Sequence, residues 1–374
     1  MLDEGPETVV EEIAEAGLDA ISLAATYHSF DALRPRRPAN GGRLLTVDAS
    51  AGYYPFDPAA FSTTPLLPQR ATLVSGEDWS HCSTAAVERG IGVVAWTIFL
   101  HNSFLARTHP DLAQMTCFGD PLGHQLCPLQ PPVKAYSKAL ASDICRLSDI
   151  DVLECEGLSF GGYGHTHYHP KIGVELGVGG RYLMSLCFCK ACTSYAETEG
   201  IDVSSIRSRA NEQLDIILGT GRPLLSSAQD LINADADLKA FSEFRERSVT
   251  ELVRSVAQSA GKPIRIMTMG DRHTTAIDVN AIAPIVDAVE YLCYTSDAAR
   301  IQKTLRKAIS ETGSASKVGA GIQAYPPASP TAETLISSVS TARNCGVGLL
   351  SFYNFGLLPK PNMGWIKRAL ESPT

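Results

Sequence analysis

The sequence predicts an α/β fold, a (β/α)8 TIM barrel carrying a helical, cysteine-rich insertion after its fourth strand. Three observations lead there. Short apolar, β-rich runs alternate along the chain with amphipathic helical stretches, the pattern of parallel βα units. Neither G-x-G-x-x-G nor G-x-x-x-x-G-K-[ST] occurs, which argues against a doubly wound, nucleotide-binding sheet. The 374 residues suit one barrel of about 250 residues plus insertions. The expectation is one barrel domain over residues 1–374, with an insertion subdomain over 157–235.

The elements follow in order. Pro6 opens a helix over 6–17 with Val9, Val10 and Ile13 on one face and Gly17 as its stop. The first strand is Leu18 to Tyr27, and the second is placed at 43–49, before a helix at 78–90. The third strand, Ile91 to Leu100, is followed by a long loop and a helix at 132–147, and the fourth strand is Ile150 to Glu156. Helices at 176–200 and 203–219 fill the insertion. A helix at 237–260 ends at Gly261 with Pro263 beyond. The remaining strands are Ile264 to Met269, Ala288 to Tyr294, Val318 to Tyr325 and Val347 to Tyr353. Helices at 298–311, 331–344 and around Trp365 to Leu370 complete the ring.

Composition narrows the class. Apolar residues at 44% and charged ones at 19% suit a globular enzyme with a large core. Lys plus Arg at 32 against Asp plus Glu at 40 gives a net charge of −8, which speaks against nucleic acid as a partner. No run of 18 apolar residues and no basic-then-apolar leader appears, so the expectation is a cytoplasmic protein without a membrane partner. Ten cysteines in this length are too sparse for a disulfide scaffold.

A barrel of this kind builds its active site at the C-terminal strand ends. Polar residues gather there: Tyr27, His28, His101, Asn102, Glu154, Glu156, Asp271, Arg272, His273, Tyr294, Asp297, Gln323, Tyr325, Tyr353 and Asn354. Glu154 and Glu156 are the most informative, because two glutamates inside an apolar strand share one face about 6.5 Å apart. An unpaired carboxylate facing a barrel interior is costly to ionise, so at least one should be an acid at neutral pH. The competing reading is an ion pair with a cation such as Arg272. Trp96, inside the third strand, reads as core rather than as a stacking platform.

Cys187, Cys189 and Cys192 place three thiols in six residues, and a fourth would close a tetrahedral structural Zn2+ site. Cys127 is the first choice for that ligand and Cys117 the alternative. His165, His167 and His169 predict a loop contacting substrate hydroxyls, with metal binding as its rival. Gly157-Leu-Ser159-Phe-Gly161 matches a nucleophile elbow in spacing only, since no helix is expected directly after it.

The stretch of roughly 90–195 resembles the family 42 glycoside hydrolases, the β-galactosidase family, and their unclassified relatives. The shared pieces are Thr108-His109-Pro110-Asp111-Leu112, Leu126-Cys127-Pro128, a glutamate ending the fourth strand, and Cys187-x-Cys189-x-x-Cys192. The resemblance implies that Cys127, Cys187, Cys189 and Cys192 hold structural zinc and that Glu156 is the general acid/base. Two departures stand out: Cys155 replaces the family's asparagine, and Gln323 occupies the position of the nucleophilic glutamate. A standard retaining mechanism is therefore not expected.

The expectation is a glycosidase acting on a small-molecule carbohydrate, with Glu156 as acid and Glu154 or Asp271 as base and no organic cofactor. Tyr27, His28, His101, Asn102, His165, His167, His169, Tyr294, Gln323, Tyr325, Tyr353 and Asn354 would shape the sugar pocket. A non-catalytic sugar-binding barrel and a metal-dependent isomerase or lyase are the rivals. Whether the chain forms a homo-oligomer is left open.

Overall fold

A computed structural model describes residues 1–38, 41–164, 171–268 and 271–373. Twelve strands lie among the described residues: β1 (Ala20–Tyr27), β2 (Phe30–Leu33), β3 (Leu44–Val47), β4 (Ala51–Gly52), β5 (Gly92–Ile98), β6 (Ala113–Met115), β7 (Pro121–Leu126), β8 (Val152–Glu156), β9 (Ile264–Thr268), β10 (Ala288–Leu292), β11 (Val318–Gln323) and β12 (Leu349–Tyr353). The main sheet has the order β12-β11-β10-β9-β8-β5-β1-β4. From β12 to β1 every pairing is parallel, and only the two-residue β4 runs antiparallel, against Thr26 and Tyr27.

The second strand predicted at 43–49 is corrected by this topology. β1 pairs directly with β5, from Ala20↔Gly92 to Thr26↔Thr97, leaving no place between them. Instead β3 pairs with β2 in a separate antiparallel hairpin. The physical reason lies in burial: β3 alternates exposed and half-buried positions, whereas β5 is buried along almost its whole length, as a barrel strand must be. The barrel thus has seven parallel strands. Its edges β1 and β12 share no ladder, yet they meet where the Tyr27 and Tyr353 hydroxyls share a hydrogen bond of 3.2 Å.

Helices cover the outside of the sheet. Val9 and Ile13 of the Pro6–Glu15 helix pack with Met363 and Ile366 of the Asn362–Glu371 helix beneath the β1/β12 seam. The helix expected at 176–200 is also corrected. It is two helices, Gly177–Ser185 and Lys190–Thr198. Between them Leu186 is extended and the Phe188 N–H donates to the Met115 carbonyl at 2.8 Å, which draws the cysteine segment onto the β6/β7 hairpin.

The bore of the barrel follows from register. Glu154 lies opposite Arg265, and Glu156 opposite Met267, which faces Glu290, then Gly319, then Leu349. Side chains two apart share a face, so Gly321, Ser351 and Tyr353 point the same way. The two bore-facing glycines of β11 make room: a Cβ on Gly321 would stand 2.8 Å from Glu290 Oε1 and 3.4 Å from Ser351 Oγ. Gly321→Ala is expected to push Glu290 off Ser351 and cost about 1–3 kcal/mol in urea unfolding; an unchanged midpoint would show that the bore has slack there.

Candidate functional site

Three carboxyls converge in the bore, all at most 7% exposed: Glu154, Glu156 and Glu290. Apolar strand residues around them supply the burial. Glu156 Oε2 accepts the Trp96 indole N–H at 2.7 Å. Burial pushes Glu156 up to about 7 against this hydrogen bond, with the charge of Glu290 adding to the rise. Ser22 Oγ donates to Glu154 Oε2 at 3.3 Å, and Ser351 Oγ donates to Glu290 Oε1. Burial holds Glu154 well above the ordinary carboxylate range, and the neighbouring Glu290 raises it further; Glu290 is itself raised by burial. Arg265 opposes both shifts by its charge. It makes no ion pair within 4.0 Å among the described residues.

An aromatic collar stands over the carboxyls. The Trp96 ring meets Tyr27 edge-on at 4.9 Å and Tyr353 at 5.9 Å, and Tyr294 stacks on Tyr353 at 5.4 Å. Next to Tyr27 the imidazoles form a row, His28 to His101 and His101 to His124, each step 5.5 Å between ring centres. These rings give flat apolar faces with polar rims, the surface a sugar ring stacks on. Trp96 is therefore both buried and a donor to the site, more than the core residue its position in the sequence implied. Trp96→Phe removes that donor, so the ionisation of Glu156 is expected to move up from about 7 in a 13C-glutamate titration; a shift downward or none would contradict the contact.

Other expected residues do different work. Asp271 is exposed and caps the Arg272–Thr275 turn, accepting from the His273 and Thr274 N–H groups; it is a cap rather than a companion of the bore carboxyls. Arg272 pairs with Glu246 and Asp278, so the bore cation is Arg265 instead. Asn102 caps the Ser103–Thr108 helix through Leu105 N–H, and Asn354 accepts from Gly356 N–H. Gln323 lies opposite Tyr353 in register, with Tyr325 half-buried just beyond. Ser159 Oγ donates to the Phe160 carbonyl. The predictions for His165, His167 and His169 fall outside the described residues.

Glu290, Arg265, Ser22 and Ser351 were not anticipated. Glu290 carried the same signal as Glu154, a carboxylate in an apolar strand. The inward register that makes Arg265 and the serines relevant is a property of the strand pairing across the sheet.

The sulfurs of Cys127, Cys187, Cys189 and Cys192 lie within 4.8 Å of one another, all buried. Cys127 Sγ is 3.5 Å from both Cys189 and Cys192, and the Met115 N–H donates to Cys187 Sγ at 3.4 Å. No disulfide joins them. Four thiolates at about 2.3 Å from one tetrahedral ion stand roughly 3.8 Å apart, so the group fits a metal. Cys117, the alternative ligand, is buried outside this group.

No helix among the described residues is long and apolar enough to cross a membrane. No protein-family model and no curated protein sequence matches the chain. Solved structures do. The glycoside hydrolase domain of PgaB (BpsB) from Bordetella bronchiseptica superposes with a TM-score of 0.57 at 15% identity, over 99% of this chain and 93% of that one. A β-galactosidase from the psychrophilic Marinomonas ef1 gives 0.56 at 10% identity over 98% of this chain. The α-L-fucosidase isoenzyme 2 of Paenibacillus thiaminolyticus gives 0.55 at 13% over 98%. The chain spans 57% and 46% of the length of the latter two. At these identities the likeness is one of architecture: the chain shares the α/β barrel fold of these three structures.

Proposed function

We propose that the protein hydrolyses a glycosidic bond in a small carbohydrate, with Glu156 as proton donor. The observation that carries this is a buried carboxyl held near pH 7 at the C-terminal end of a barrel strand, under an aromatic collar. A general acid works best when its pKa lies near the working pH. The residues shared with family 42 glycoside hydrolases support the same assignment.

Glu156 passes its proton to the glycosidic oxygen as the C–O bond breaks. The Glu154–Glu290 pair supplies the base: with one proton between them, the remaining carboxylate takes a proton from the water that bonds to the anomeric carbon. Glu154 and Glu156 share one face of their strand, with backbone positions about 6.5–7 Å apart, and an inverting enzyme needs room for a water between its acid and its base. Gln323 offers no nucleophile, which also favours inversion over a covalent intermediate. The cysteine group would hold a structural Zn2+ that fastens the 187–192 segment to Cys127 and takes no part in the chemistry.

Aryl and alkyl glycosides assayed with wild type and Glu156→Gln test the reading. Hydrolysis by wild type with inverted anomeric product by NMR is the expected outcome; equal inertness of both proteins across the panel would overturn it in favour of a sugar-binding barrel.

A further inference from the structure

The barrel interior departs from the usual pattern of layers packed solid with branched side chains. A cavity of about 370 Å³ opens from it through the β1/β12 seam, from Glu154, Arg265 and Glu290 in the bore to Ile13, Met363 and Ile366 of the covering helices. That volume lies at the lower end of small-molecule sites, about 300–1,000 Å³. Glu154 and Glu290 both line it. Glu290 is only 2% exposed, and its Oε2 has no hydrogen-bond partner among the described residues, while Oε1 is held by Ser351.

A buried carboxylate oxygen left without a donor is costly. Here the cost is built in: Gly319 and Gly321 vacate the opposing strand so that Glu290 fits. Arg265 lines the same cavity and acts on both carboxyls through its charge. Ser22 and Ser351 satisfy one oxygen on each side; Tyr294, Tyr353, Asp19 and Met1 also line the cavity, and Glu156 feels the charge of Glu290 from beside it. With both carboxyls ionised, Arg265 leaves the pair one positive charge short, which the proton between them supplies. A neutral sugar hydroxyl cannot replace the charge of that proton whereas a cationic donor can, so a cationic donor fits better.

We propose that the Glu154–Glu290 chamber binds a primary ammonium group, making an amino sugar the substrate unit of this site. This rests on the reading of the bore as a carbohydrate site and deepens it. The ammonium takes the place of the proton held between the two carboxyls, donates to Glu290 Oε2, and leaves Glu154 ionised as base. A neutral sugar leaves that proton in place and the base blunted.

Isothermal titration calorimetry with glucosamine hydrochloride, glucose and N-acetylglucosamine at pH 7, in two buffers of different ionisation heat, tests this without any turnover. Glucosamine is expected to bind at least tenfold more tightly than either neutral sugar, with a buffer-dependent heat showing proton release. Glu290→Gln should reduce that preference to near unity; Glu154→Gln, from the facing wall, serves the same purpose should the first variant not fold. Equal affinity for the three sugars, absence of glucosamine binding, or a preference that survives the substitutions overturns the inference. Hydrolysis of neutral glycosides without preference for glucosaminides would sink it while sparing the hydrolase reading. Selective glucosamine binding with no hydrolysis of any glycoside, glucosaminides included, would do the reverse.

Discussion

A Glu156→Gln variant is expected to keep its fold and to lose about 10²–10⁴-fold in kcat on glycosides with poor leaving groups, the usual worth of a general acid. Aryl glycosides with acidic phenols should suffer less, because their leaving oxygen needs little protonation. The glutamine oxygen can still accept the Trp96 N–H, so packing is retained. Stability should move the other way. Glu156 is raised from its ordinary 4.5 to about 7 in the folded chain, so the native state binds the extra proton in that window. Wild-type stability is then full below pH 4.5 and falls as pH climbs toward 7, by up to about 3 kcal/mol. Glutamine has no such dependence. The variant should therefore unfold later than wild type at pH 8 and alongside it at pH 4; a variant no more stable than wild type at pH 8 would show that folding does not raise the Glu156 pKa.

Removing the metal is the second large effect. The purified chain should carry one zinc that resists mild chelation. Cys192→Ser, or chelation under denaturing conditions, should abolish it and release the segment that Cys187, Cys189 and Cys192 fasten to Cys127. Structural zinc contributes up to roughly 10–16 kcal/mol in small peptides. Even a fraction of that would lower the melting temperature by several degrees, since 1 kcal/mol shifts it about 1–2 °C in a chain of 374 residues. Metal analysis and calorimetry check this. A metal-free chain with an unaltered melting point would make the four thiols ordinary core residues.

Helices and barrel strands were largely legible because glycine and proline punctuate them: Gly17, Gly90 and Gly261 each take a left-handed conformation at or just past a helix end. Hydrophobic runs identified seven strands of the main sheet. The same signal misplaced β3, since four alternating residues read alike whether they enter a barrel or close a hairpin, and only the pairing with the equally short β2 tells the two apart. The break at Leu186–Cys189 has no glycine or proline to mark it; tertiary bonding to Met115 creates it.

The site was half legible. Glu154 and Glu156 stood out as charges in an apolar strand, and the four cysteines by spacing and resemblance. Asp271 misled because an acid after a strand looks functional, although Asp followed three residues later by Thr274 also reads as a turn cap. Arg265, Ser22 and Ser351 could not be chosen beforehand, since each strand has two faces and only the register across the sheet says which one lines the bore.

The most direct measurement is the pH dependence of kcat/KM on a glycoside the wild type turns over. One ionisation near pH 7, belonging to the free protein and absent from the residual activity of Glu156→Gln, is the expected result. A profile flat through pH 7, or one that keeps the same ionisation in the variant, would contradict Glu156 as the proton donor.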